Sequence, residues 1–378
     1  MARKKLASLD KMIIKSYKSA NEKVIFKADD APLYNVVPTD SAGLNYTLGN
    51  GGIVLGKIYL VKSGLESAGK TALCLFMGSA IQKNIASGKK YDDDGDLITE
   101  GNIALIDAEY SYSKVWVEKL GVDTSSERFR VVQPANGETG LQIVEDLVDS
   151  GLYDGIIIDS LNALVPEAML ENDMGDATMG VQAKMISKSY MRLIGKANEK
   201  QCTLFFISQS RSTMSKYEKD SLGGGRSSLF YPHVRLDVRR TEFLGKKEEP
   251  TGIKSKIKAE KNKLSIPYRT CEVDLYYASG YSFVSDYVDF AVKLDVIVRG
   301  GAWYTNSEGE KFNGKDKVVD YYSLEENKEK YLELVKLVDK YNLRKDYIER
   351  GIDKSFPELF KDDKIETKIE LDKEEPVE

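Results

Sequence analysis

Eight consecutive residues constrain this chain more than any others: Gly64-Leu65-Glu66-Ser67-Ala68-Gly69-Lys70-Thr71. A glycine, four residues and then Gly-Lys-Thr is the phosphate-binding loop pattern, and it sits where the chemistry requires, after an apolar run and before an amphipathic segment. The glycines let the backbone curl so that its N–H groups face phosphate oxygens, and the start of the following helix adds a positive field. Lys70 is expected to reach the β- and γ-phosphates of a nucleotide, and the Thr71 hydroxyl to bind Mg²⁺.

Such a loop belongs to a sheet whose strands alternate with helices, and the surrounding sequence agrees. Apolar runs at Lys57–Val61, Asn102–Ile106, Gly155–Ile158 and Thr203–Ile207 alternate with helix-like segments such as Thr71–Ile85 and Gln182–Glu199. Strands separated by helices imply right-handed crossovers and a largely parallel, twisted sheet. The fold class is α/β, with a core predicted over residues 35–282. Before it, Leu6, Leu9, Ile13 and Tyr17 form the apolar stripe of a basic helix within residues 1–34. After it, residues 283–378 are rich in Tyr, Lys and Glu and are expected to form a small α+β domain with an acidic tail.

Other residues earn attention from their place at strand ends. Gly155–Ile158 runs into Asp159, the position of a carboxylate that holds the Mg²⁺ shell, although a strand-end Asp can also cap the next helix. Glu109 follows the strand that ends at Ile106 and could orient water, or it could sit in a solvated turn. Trp116, seven residues on, could stack on adenine or fill the core.

Composition decides only what it excludes. No run approaches the eighteen or so apolar residues of a membrane span. Met1–Lys5 is basic, but no apolar signal-peptide region follows, so a cytoplasmic location is expected. Cys74, Cys202 and Cys271 lack metal-ligand spacing, and the single histidine, His233, argues against histidine-based catalysis. The net charge of −5 does not oppose nucleic-acid binding. Residues 353–378 hold five lysines against ten acidic residues, which leaves 50 basic and 50 acidic residues in the remainder.

Taken together, several short segments resemble the bacterial RecA family over roughly residues 45–320. They are Gly64–Thr71, Ile106-Asp107-Ala108-Glu109, Ile156–Leu164, Phe206-Ile207-Ser208-Gln209, Phe230–Asp237, Lys261-Asn262-Lys263 and Gly301-Ala302-Trp303-Tyr304. The resemblance implies an ATP-dependent DNA recombinase that polymerises on single-stranded DNA and exchanges strands with a homologous duplex. Glu109 would then activate the attacking water, and Trp116 and Tyr277 would lie beside the nucleotide. Gln209 would sense the γ-phosphate. Lys261 and Lys263 would reach the γ-phosphate of a neighbouring subunit's ATP. The N-terminal helix would pack on the adjacent subunit.

Two polar segments, Glu171–Gly180 and Ser210–Leu229, would line the DNA. Met179 and Met214 match the positions of apolar wedges between bases, and Lys184, Arg192, Arg211, Gly224 and Gly225 those of phosphate and backbone contacts. Read without the resemblance, both segments are ordinary polar loops, Gln209 is a strand-end amide, and the lysine-rich Lys254–Lys263 is a solvated hairpin or sheet edge. Departures from the family pattern at Ser113, Ala278 and Met191, with a second loop two residues shorter, mark a divergent member. The competing functions are a ring helicase on the same core and a filament scaffold that uses ATP only as an assembly switch.

Overall fold

The computed structural model describes residues 34–92, 94–171, 180–212, 220–222, 225–246 and 248–351, with backbone alone at 211–212 and 220–222. The expected N-terminal helix, Met179, Met214, Gly224 and the acidic tail lie outside the described residues.

A short antiparallel pair, β1 (Val36–Val37) and β2 (Ile53–Val54), precedes the main sheet. That sheet holds β3 (Ile58–Ser63), β4 (Ile103–Asp107), β5 (Phe129–Val132), β6 (Gly155–Asp159), β7 (Thr203–Ser212), β8 (Asp220–Leu222), β9 (Val234–Lys246), β10 (Glu249–Asn262), β11 (Thr270–Tyr276) and β12 (Gly280–Ser282). Across it the order is β12-β11-β10-β9-β3-β7-β6-β4-β5, with β8 against the end of β7. From β9 to β5 every neighbour is parallel, as the alternating pattern requires. From β9 to β12 the pairs are antiparallel.

The parallel strands read as continuous apolar runs because both their faces are covered. In β3, Tyr59 and Val61 point into a core shared with the helix Lys70–Asn84, while Ile58 and Leu60 point into a second core. The helices Gly137–Asp149 and Val181–Glu199 cover that second face. Helix Lys70–Asn84 approaches the sheet closely at Gly78, where a Cβ would lie 3.0 Å from Ile103 Cδ1 and 3.2 Å from Ile157 Cδ1. Alanine there would press on both strands.

Strand β10 corrects one expectation. The lysine-rich stretch is not an edge: β10 pairs with β9 on one side and β11 on the other. Lys256 and Lys258 are exposed while Ser255, Ile257 and Ala259 are buried, so the period-two pattern of a half-covered strand accounts for the charge.

Beyond β12 come the helix Phe283–Lys293, the antiparallel sheet β13 (Val298–Gly300), β14 (Trp303–Thr305) and β15 (Lys311–Asn313), and the helices Lys315–Ser323 and Lys328–Glu349. These share a third core built on Tyr287, Val288, Tyr304, Val318 and Val338, which also takes in Ala42.

Candidate functional site

Parallel strands of an α/β sheet present their C-terminal ends to ligands, and register brings the candidate residues to one such edge. Ser63, the last residue of β3, lies level with Gln209 on β7, and Asp107 on β4 lies level with Asp159 on β6. The phosphate loop leaves β3 and turns into helix Lys70–Asn84 at Gly69, whose φ of 92° is left-handed and suits glycine. No side chain caps this helix, so its first-turn N–H groups are left for an anionic ligand.

A cavity of about 470 Å³ opens here, lined by Glu66, Ser67, Ala68, Gly69, Lys70, Thr71, Glu109, Trp116, Asp159, Gln209 and Tyr277 among others. The volume is that of a small-molecule site. Gly64 and Leu65 shape the turn without lining the cavity, and the Leu65 carbonyl accepts from Lys70 Nζ at 3.4 Å. Trp116 is half-buried and packs on the first core with one face left toward the cavity.

The charges converge. Thr71 Oγ1 donates to Asp159 Oδ2 at 2.7 Å. Burial pushes the Asp159 carboxyl up to about 6, with Glu109 and Asp107 adding to the rise and the Thr71 hydroxyl and Lys70 opposing it. Burial lowers Lys70, and Asp159, Glu109 and Glu66 oppose that shift. Such a site has a cation and a hydroxyl–carboxylate pair ready for phosphate and a hard metal ion. Among the described residues no group of three or more His, Cys, Asp or Glu could hold a metal, so any ion here would draw its remaining ligands from substrate oxygens and water.

Glu109 Oε1 accepts from Ser160 Oγ at 2.5 Å. Asp107 shapes the turn that carries Glu109: its carboxylate accepts from the N–H groups of Ser111 and Tyr112 and from the Gln133 amide.

Lys261 and Lys263 are elsewhere. Lys261 Nζ donates to the carbonyls of Leu229 at 3.0 Å and Phe230 at 2.7 Å, and Lys263 Nζ donates to Phe230 O at 3.2 Å. Ser255, on the same strand, donates to Ala68 O in the phosphate loop at 3.0 Å. Six residues of strand separate Ser255 from Lys261, about 20 Å. A lysine side chain cannot cross that distance to its own subunit's cavity.

Of the residues matched to DNA contacts, Lys184 is exposed on helix Val181–Glu199 and Gly225 precedes the helix Ser227–Phe230 with φ 60°. Arg192 is exposed but faces Glu145, with Nη2 to Oε2 at 2.6 Å and Nε to Oε1 at 3.1 Å. Contact with a phosphate would require this pair to open. Arg211 is described by its backbone in β7 alone.

The RecA N-terminal domain family matches residues 7–282 of the sequence. The chain belongs to the RecA family. Protein RecA of Leptospira biflexa is 39% identical over 291 residues, covering 76% of this chain and 70% of that protein. Protein RecA of Cytophaga hutchinsonii is 35% identical over 319 residues, 83% of this chain and 85% of the relative. For Bacillus licheniformis Protein RecA the identity is 37% over 297 residues, 78% and 80% of the two chains. As a RecA-family protein the chain is an ATP-dependent DNA recombinase and a DNA-dependent ATPase. No helix among the described residues is long and apolar enough to cross a membrane.

The RecA-type pocket also contains residues that motif reading missed. Ile253 on β10 and Leu275 on β11 line it beside Gly69. Their signal in the sequence is only an apolar residue within a lysine-rich or mixed strand, and nothing local marks them as ligand-facing.

Proposed function

We propose that this chain binds ATP with Mg²⁺ in the cavity at the C-terminal edge of β3, and hydrolyses it between adjacent subunits of a filament on single-stranded DNA. The filament then pairs that strand with a homologous duplex. Residues 64–71 cradle the phosphates and Trp116 and Tyr277 flank the base. Thr71 and Asp159 hold Mg²⁺; their hydroxyl and carboxylate oxygens suit a hard cation, which would neutralise phosphate charge. Glu109 takes the proton of the attacking water, Lys70 neutralises charge on the transferring group, and Gln209 reads the γ-phosphate. Lys261 and Lys263 act on a neighbour's nucleotide. DNA is held by Lys184, Arg192, Arg211, Gly224 and Gly225, with Met179 and Met214 wedged between bases.

One observation carries the reading. The cavity brings Lys70, Thr71, Glu109, Asp159 and Gln209 together, while the remaining cations sit at the far end of β10. The core divides as residues 35–282, with residues 1–34 for subunit packing and 283–378 as an accessory domain, and the protein works in the cytoplasm. The direct test is joint-molecule formation between labelled single-stranded DNA and a homologous duplex, with and without ATP, together with electron microscopy on an ATP analogue. ATP-dependent joint molecules and long helical filaments are expected. Closed rings would favour a helicase, and assembly without pairing or turnover would favour a scaffold.

A further inference from the structure

Within the four residues Asp159-Ser160-Leu161-Asn162, three side chains are bonded to Thr71, to Glu109 and to the backbone of Gln209. Asp159 accepts from Thr71. Ser160, fully buried, donates to Glu109 at 2.5 Å, and among the described residues it is the single hydrogen-bond partner of that carboxylate. Asn162 Oδ1 accepts from the backbone N–H of Gln209 at 2.9 Å and from Ser208 Oγ at 3.2 Å. This segment is itself tied down by one side chain. Gln182 Nε2 lies 3.2 Å from Leu161 O, 3.2 Å from Asn162 O and 2.9 Å from Leu164 O. Gln182 stands in the first turn of helix Val181–Glu199, two residues after the Gly180 cap.

Each bond has a physical consequence. An exposed carboxylate on a turn would sample several rotamers, and a single charge-assisted donor selects one of them. The Asn162 amide oxygen fixes the stretch of β7 that carries Gln209. A side-chain amide within reach of the carbonyls of Leu161, Asn162 and Leu164 joins the start of a helix to a loop that also has a turn bond from Ala163 N–H to Ser160 O at 3.0 Å. We propose that Ser160 and Asn162 are positioning residues that hold Glu109 and Gln209 in one shared arrangement, and that Gln182 links this arrangement to helix Val181–Glu199, which carries the exposed Lys184. DNA contact at Lys184, two residues beyond Gln182, then alters hydrolysis through Gln182 and the loop it holds. The inference rests on the reading of Glu109 as the base and Gln209 as the sensor.

The test uses steady-state ATP turnover of the full chain on single-stranded DNA. Ser160→Ala should lower kcat about tenfold, the size expected for loss of a hydrogen bond to a charged group, with KM for ATP within twofold. In a Glu109→Gln background the same substitution should cause no further loss, because the group it positions no longer acts. Asn162→Ala should likewise lower kcat with KM held. Gln182→Leu should reduce the DNA-stimulated rate more than the DNA-free rate. A proportional Ser160→Ala loss in both backgrounds, or full activity of both Ser160→Ala and Asn162→Ala, would overturn the positioning role. Equal loss with and without DNA in Gln182→Leu would cut the link to DNA. Normal turnover by Glu109→Gln alone would instead remove the base assignment on which the inference stands.

Discussion

Near its start β10 lies against the phosphate loop, with Ser255 bonded to Ala68 and Ile253 lining the cavity, whereas at its end Lys261 and Lys263 donate to the carbonyls of Leu229 and Phe230. The first region carries a cation, a hydroxyl, carboxylates and an uncapped helix within one subunit. The second carries two cations that, among the described residues, form no ion pair. Ammonium groups on the last carbonyls of a short helix are satisfied but weakly held, and a phosphate would compete well for them. The contrast is what the proposed function would require if nucleotide binding were complete within one subunit and hydrolysis were not.

Breaking the first region should have the largest effect. Lys70→Ala removes the cation nearest the phosphates and should abolish ATP turnover, measured as phosphate release on single-stranded DNA. Lys263→Ala should come next. It should leave nucleotide binding by the monomer intact but lower DNA-stimulated hydrolysis by about 10³–10⁵, the range for cations supplied across an interface in related reactions. Loss of monomer binding would show that the two regions are one.

Glu109→Gln should keep binding and assembly and slow turnover by about 10²–10⁴, the usual contribution of a general base. Normal hydrolysis would move the base elsewhere.

The smallest effect concerns pH and the second region alone. Burial, then the neighbouring charges of Lys263 and Arg235, lowers Lys261 to about 8 in the free subunit. A phosphate would favour the ammonium form and raise that value, so assembly takes up a proton once the pH exceeds about 8. ATP-dependent filament assembly should therefore weaken as pH rises from 7 to 9. Lys261→Arg, which keeps its charge throughout, should flatten the profile. The same slope in both proteins would assign the titration to another group.

How far the sequence reveals these two regions follows from where their information sits. The phosphate loop, Asp159 and Glu109 are strand-end residues whose neighbours in sequence are also their neighbours in space. The structure places β3 at Ile58–Ser63 and β6 at Gly155–Asp159, within two residues of the apolar runs that mark them. Strand β10 is harder to read: only Ile253, Ile257 and Ala259 among its lysines reveal a buried face, and its pairing with both β9 and β11 is decided by distant residues. The Ser160–Glu109 and Asn162–Gln209 bonds span about fifty residues of sequence, and a lone Ser or Asn after a strand gives no sign of its partner.

The central claim, that one subunit's cavity is completed by another subunit's lysines, is tested most directly by mixing two inactive proteins. Lys70→Ala subunits have intact lysines and Lys263→Ala subunits have an intact phosphate loop. Co-assembled on single-stranded DNA, they should recover ATP turnover that neither shows alone, with a maximum at intermediate mixing ratios. Proven co-assembly with no recovery at any ratio would contradict the account and place the lysines within their own subunit's site or outside the reaction.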